Sequence, residues 1–219
     1  MAGHEARYTR QQEIVPLQKL RGLTITVVGV GAIGRQVALQ LAAMGAAHLQ
    51  LVDPDQVEEV NLPAQGYLEA DRGRAKVEAT AGLIRQISGS CQLELLPKRF
   101  RRSMKVGEVL FCCVDSIVTR KLIWQAVKER VGLFVDGRMS AEVIRVLAAA
   151  GEESRQHYPQ TLFPQDDAYH GSCTARSTIY SAGIAAGLMV GQLTKWLRGM
   201  PVDADLDLNL LSLELAVAT

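Results

Sequence analysis

The residues with the clearest chemistry lie in TITVVGVGAIGRQVALQLAAMG (24–45), where glycines stand at 29, 31 and 34 between an apolar β-branched run and a helically spaced one. A glycine turn between a strand and a helix holds phosphate. Gly29 makes the tight turn, Gly31 lets backbone approach the anion, Gly34 allows close helix packing, and the helix N-terminus presents free N–H groups. A second apolar run, 48–52, ends in Asp53, nineteen residues after Gly34, where a carboxylate meets the ribose hydroxyls of a nucleotide. A second carboxylate follows at Asp55, then Asn61, then Lys76 at the start of a helical pattern, and an aspartate, Asp115, closes CVDS after a later apolar run. The single acid of a nicotinamide dinucleotide site does not account for this set, although a dehydrogenase stays open as an alternative.

The elements that must position these residues alternate. The run 24–28 reads as a buried parallel strand, with Val37, Leu41 and Met44 at helical spacing behind it. A helix over 76–87, strands over 92–96 and 109–114, and a helix over 117–130 continue a doubly wound, Rossmann-like α/β pattern. LFVDG (133–137) and EVIRVLAAA (142–150) are separated only by RMSA, too short for a crossover helix, so the sheet turns antiparallel at its far end. Residues 151–177 carry little periodicity and read as a long functional loop or moving lid. The most apolar helix pattern, 179–193, is shorter than a membrane span. DLDLNLLSLEL (205–215) alternates with a phase change at Leu210 and Leu211, which reads as one half-exposed strand with a bulge. The expected organisation is a single domain over 1–219.

Composition narrows the partners. With 24 basic and 23 acidic residues and a formal charge of +1, the chain has no broad field for nucleic acid or an anionic membrane. Its first fifteen residues lack an apolar core of signal-peptide length, and four cysteines in 219 residues do not suggest a disulfide scaffold. The expected compartment is a reducing cytoplasm.

RYTRQ (7–11), the DPD at 53–55, the NL at 61–62, the lysine of GRAKVE and CVDS (113–116) together resemble the ThiF/MoeB/ubiquitin-activating family, in an order and spacing that run nearly continuously over residues 7–120. The resemblance implies an ATP- and magnesium-dependent enzyme that adenylates the C-terminal carboxylate of a small ubiquitin-like or sulfur-carrier protein. It also implies roles: Asp53 on the ribose with Asp55 close by, Lys76 on the phosphates, Asp115 on magnesium and Asn61 orienting the triphosphate. Arg10 would reach the γ-phosphate of the partner subunit in a homodimer. Taken alone, Arg10 and Lys76 read as solvated charges and Asp115 as a helix cap, while Arg120, which matches a family arginine downstream of the magnesium aspartate, reads equally as a salt-bridge partner or a ligand.

The chain departs from the family pattern in two places. The usual NLxRQ carries a phosphate-contacting arginine where this chain has Ala64, with Arg72 and Arg74 as nearby candidates to replace it. The cysteines at 91, 112, 113 and 173 form no zinc-knuckle pair, so no zinc is expected; Cys112 and Cys113 read as core residues. Cys173, in HGSCTARST, resembles the CTxRxT around the thioester cysteine of ubiquitin-like activating enzymes. A thiolate there, favoured by the following helix and Arg176, could take the acyl group, with His170 nearby; a structural cysteine is the alternative. Beside the leading reading stand a catalytically weak nucleotide-binding scaffold of the same fold, kept open by Ala64, and an NAD-dependent dehydrogenase.

Overall fold

The computed structural model describes residues 6–163 and 177–218. Five strands run parallel: β1 (Thr24–Val28), β2 (His48–Val52), β3 (Gln92–Leu96), β4 (Val109–Cys112) and β5 (Leu133–Ser140). Three antiparallel strands, β6 (Val143–Ala149), β7 (Asp205–Asn209) and β8 (Glu214–Ala218), extend the sheet to eight, in the order β3-β2-β1-β4-β5-β6-β7-β8. The α/β class, the parallel body and the antiparallel far end are as the periodicity predicts.

The helices are α1 (Leu17–Arg21), α2 (Ala32–Met44), α3 (Asn61–Gln65), α4 (Lys76–Ile87), α5 (Ile117–Val127), α6 (Glu152–His157) and α7 (Ile179–Leu197). Strands buried on both faces need helices on both. One core layer joins Ile25, Val27, Leu49 and Leu51 to α2, α4 and α7; the other joins Val28, Leu110 and Phe134 to Ile123, Trp124 and Tyr158. Among the described residues no helix is long and apolar enough to cross a membrane.

The chain builds β1, β2 and β3 outward in one direction and then returns past β1 to build β4 and β5 in the other. The crevice at the carboxyl ends of β1 and β4 is therefore the topological switch point, where ligands bind in this class of sheet. Gly29 follows directly on β1 and Asp53 directly on the neighbouring β2, and Asp115 lies in the segment that leaves β4.

Three expectations are corrected. The stretch 205–215 is not one bulged strand: β7 and β8 form a hairpin, and the phase change at Leu210 and Leu211 is its turn, with Leu213 at φ +56°. The segment 151–163 is not loop. Ser154 Oγ accepts the N–H groups of Ala150 and Gly151 at 3.1 Å, capping α6, and the following turn buries Tyr158 against Trp124 and Phe134, so a lid cannot begin before residue 164. The helix expected over 117–130 stops at Val127, where Arg130 N–H turns back to Val127 O.

Candidate nucleotide site

The glycine turn is held from both sides. Gly29 has φ +85°, its N–H donates to Val52 O at 2.8 Å, and a Cβ on it would stand 2.7 Å from Cys113 O. A Cβ on Gly34 would overlap the carbonyl oxygen of Gly29 and lie 2.9 Å from its carbon. Both positions exclude side chains for the reasons the sequence suggested. Gly31 differs. It precedes α2 with φ −72°, and a Cβ there would meet only the Gln65 side chain, at 3.7 Å. The fold does not require this glycine, which instead leaves open the approach to the helix N-terminus.

Asp53 is buried and accepts Val30 N–H at 2.8 Å and Asp55 N–H at 2.9 Å, so it fixes the glycine turn and the chain beyond β2 together. Burial pushes its carboxyl above the usual range, against the opposing pull of these two donors and of Lys76. Lys76 opens α4 with its stem buried, and its Nζ stands 3.2 Å from the exposed Asp55 carboxylate. The structure thus brings Asp53, Asp55 and Lys76 into one corner beside the turn. Asn61 starts α3, and its Oδ1 accepts Glu58 N–H at 2.9 Å, which leaves its amide N–H groups without partners among the described residues.

Asp115 lies past β4. It does not cap α5, because Ser116 does so, accepting Thr119 N–H at 3.3 Å. The Asp115 carboxylate is exposed and makes no hydrogen bond or ion pair among the described residues. Arg120 supports the segment that carries it: its buried guanidinium donates to Val114 O and pairs with Asp136, which also accepts from Arg138 at 2.9 Å and Tyr158 at 3.0 Å. Arg120 is a structural ion-pair partner.

Arg10 is not part of this corner in its own chain. It is exposed on a turn whose neighbours are fixed at the far end of α2, with Gln11 donating to Met44 O at 2.6 Å and Tyr8 packed where a Cβ on Gly45 would go. Thirteen helical residues separate that end from Gly31, about 20 Å at 1.5 Å per residue, beyond the reach of one arginine. Arg72 pairs with Glu59 at 2.9 Å and Arg74 with Asp71 at 2.7 Å, so both candidates to replace the cation absent at Ala64 are engaged elsewhere. Cys112 is fully buried and Cys113 half-buried, and desolvation raises both thiols; Cys91 is pushed up to about 11 by the same cause. His170, Cys173 and Arg176 lie outside the described residues.

Two residues at the turn were not found by motif reasoning. Tyr67 donates to Val30 O at 2.5 Å and bonds Thr80 Oγ1 at 3.2 Å, and Arg35 lies over its ring at 4.7 Å. The available signal was an arginine directly after the last glycine, on a helix whose neighbours are apolar. A magnesium–nucleotide complex suits this donor set among the described residues: open helix N–H groups, a buried carboxylate, a buried lysine and one exposed carboxylate without a partner, since magnesium takes few protein ligands beside phosphate oxygens.

A model of the ThiF family matches residues 7–215. The chain is 32% identical over 133 residues to the adenylyltransferase and sulfurtransferase MOCS3 of Drosophila sechellia, covering 55% of this chain and 29% of that protein. It is 24% identical over 156 residues to the NEDD8-activating enzyme E1 catalytic subunit of Caenorhabditis elegans, covering 68% and 36% respectively. It thus spans about a third of the length of these sequence relatives. Among solved structures, PaaA superposes with a TM-score of 0.81 at 19% identity, covering 100% of this chain and 74% of PaaA. Escherichia coli MccB with AMPCPP and MccA superposes with a TM-score of 0.78 at 15% identity, covering 97% and 71%. These likenesses establish the shared fold.

Proposed function

The chain belongs to the ThiF family, and from that premise we infer that it is an ATP-dependent adenylyltransferase acting on the C-terminal carboxylate of a small ubiquitin-like or sulfur-carrier protein. The observation that carries this reading is the grouping, at the switch point, of an open helix N-terminus, the Asp53–Asp55–Lys76 corner and an Asp115 that has no partner among the described residues. The names of relatives such as MOCS3 and the E1 catalytic subunit support the same class of reaction.

The chemistry follows from charge. A carboxylate oxygen of the substrate attacks the α-phosphorus, the bond from that phosphorus to the bridging oxygen breaks, and pyrophosphate leaves with the electron pair. Two anions must meet, so fixed cations and dipoles have to offset their repulsion as charge develops. Asp53 holds the ribose, with Asp55 close by and also poising Lys76 toward the phosphates; Asn61 turns its free N–H groups to the triphosphate, and Asp115 holds magnesium. Bound magnesium neutralises charge on the phosphate chain. Arg10, remote from its own turn, serves the γ-phosphate of a partner subunit in a homodimer. Residues 1–219 act as one adenylation domain, and the Cys173 thiolate attacks the acyl carbon of the adenylate, forming a thioester as the bond from that carbon to the AMP oxygen breaks and AMP leaves with the electron pair.

Ala64 favours one other reading, a catalytically weak scaffold that binds nucleotide without turning it over. ATP–pyrophosphate exchange separates the two. Exchange that depends on a protein ending in a flexible, glycine-terminated tail supports the enzyme; nucleotide binding without exchange for any such protein supports the scaffold.

A further inference from the structure

We propose that Arg35 supplies the phosphate-facing cation that α3 lacks at Ala64; the proposal rests on the nucleotide reading of the glycine turn. Arg35 lies in the first turn of α2, four residues after Gly31, and its backbone N–H donates to Gly31 O at 3.1 Å. Its side chain is only 3% exposed, yet its enclosed Nε has no hydrogen-bond partner, and among the described residues no carboxylate pairs with it. Taking a guanidinium out of water without an anion is costly, so such a group marks a place where an anion completes the site. Burial also pushes the Arg35 guanidinium down from its ordinary value, only partly opposed by the fields of Tyr67 and Asp71. No other buried arginine among the described residues is left this way, since Arg120 is paired with Asp136.

The surroundings aim this charge at the nucleotide. The Tyr67 ring under Arg35 is fixed to the glycine turn through its bond to Val30 O. One Arg35 terminal nitrogen lies 3.3 Å from where a Cβ on Gly66 would stand, which sets the guanidinium against the C-terminal end of α3. Gln65, beside Ala64, carries the other enclosed orphan atom: its Oε1 is unpartnered and lies 3.7 Å from a Cβ position on Gly31. Two polar groups of opposite sense, without partners among the described residues, thus stand at the C-terminal end of α3, one against Gly66 and one beside Gly31. A phosphate chain offers acceptors to Arg35, and a ribose or phosphate-bound water offers a donor to Gln65. The arginine moves from α3 to α2 while its charge stays at the same corner.

Calorimetry with magnesium and α,β-methylene-ATP, and with adenosine in competition, tests this on the full chain. Arg35→Gln is expected to weaken the ATP analogue at least tenfold while changing adenosine affinity less than twofold, and Arg35→Gln with Ala64→Arg is expected to regain most of the loss. Arg35→Met, apolar against Tyr67, replaces Arg35→Gln if that variant does not fold. Unchanged affinity for the analogue, or an equal loss for adenosine, overturns the assignment of Arg35. A wild-type protein that binds neither probe overturns the nucleotide reading itself, so the two failures are distinguishable.

Discussion

Gly34→Ala tests whether the glycine turn is a tight mechanical unit and not merely a permissive stretch. The added methyl overlaps the Gly29 carbonyl oxygen and stands 2.9 Å from its carbon, with Cys113 Cβ at 3.0 Å on the other side. That oxygen would stand only 1.8 Å from the methyl, and side-chain carbons essentially never come within 3.0 Å of such a neighbour, so the turn must move by more than about 1 Å. It cannot do so freely, because Gly29 N–H is bonded to Val52 O and the turn presses on Cys113 O. Overpacking typically costs about 1–3 kcal/mol, and contact with backbone on one side and the Cys113 side chain on the other places this case near the upper end. For a chain of this size, about 3 kcal/mol lowers Tm by roughly 6–12 °C. A phosphate cradle displaced by about 1 Å should also lose on the order of 100-fold in pyrophosphate exchange. Gly31→Ala is the contrast: with φ −72° and only Gln65 nearby, it should leave Tm almost unchanged and yet weaken α,β-methylene-ATP tenfold or more. The reasoning fails if Gly34→Ala melts and exchanges like wild type, or if Gly31→Ala binds the analogue normally.

Lys76→Ala and Asp115→Ala are each expected to cut exchange roughly 30-fold to 1000-fold, the effect of about 2–4 kcal/mol of lost transition-state stabilisation, with native circular dichroism; full activity in either would remove that residue from the site. Mixing inactive Arg10→Ala with inactive Lys76→Ala should restore measurable exchange through heterodimers, and an active protein that sediments strictly as a monomer would contradict an arginine supplied in trans. Asp205 is buried, but hydrogen bonds from Arg145 at 2.6 and 2.8 Å and from His157 at 2.8 Å outweigh desolvation and hold its carboxyl below the usual range. Its contribution is therefore present above the ordinary value of 3.8 and lost as pH falls through the lower folded one. Asp205→Asn should cost about 2 kcal/mol in urea unfolding at pH 7 and converge on wild type as pH falls through the lowered folded value; a constant difference would refute the linkage. Cys173→Ala should retain exchange and lose any thiol-sensitive adduct with the substrate protein, read by intact mass.

Periodicity and turn chemistry made the parallel body legible. The β-branched run before Gly29, the spacing to Asp53 and the short RMSA link each admit few geometries, and the strands formed where they predict. The errors have a common physical source. DLDLNLLSLEL alternates on both sides of a reversal with a phase change that a bulge would also give, and the turn combines Asn209, whose Oδ1 accepts Leu211 N–H, with Leu213 at positive φ, a residue type that gives no turn signal. GEESRQHYPQT looks aperiodic because α6 is short and polar, held by the Ser154 cap and by one buried ring, Tyr158, and not by an apolar stripe. At the site, residue types with a fixed neighbour in sequence were readable, whereas Tyr67 matters through Val30 and Arg35 through Tyr67, relations that exist only after folding.

The distribution of unpaired charge orders these residues by role. Asp136, fully buried, accepts from Arg120, Arg138 and Tyr158, so the structure neutralises it internally and it serves the corner where β5, α5 and the turn after α6 meet. Asp205 is likewise matched by Arg145 and His157. Asp115 and Arg35, on either side of the glycine turn, have no such partners among the described residues, one exposed and one enclosed. A fold under selection for stability alone would pair or discard both, because an enclosed guanidinium without an anion is among the costlier groups to keep. An exposed carboxylate past β4 and an enclosed guanidinium on α2 would be matched together by a polyanion carrying its own divalent cation. That complementarity supports a magnesium–nucleotide complex over a bare dinucleotide at this switch point.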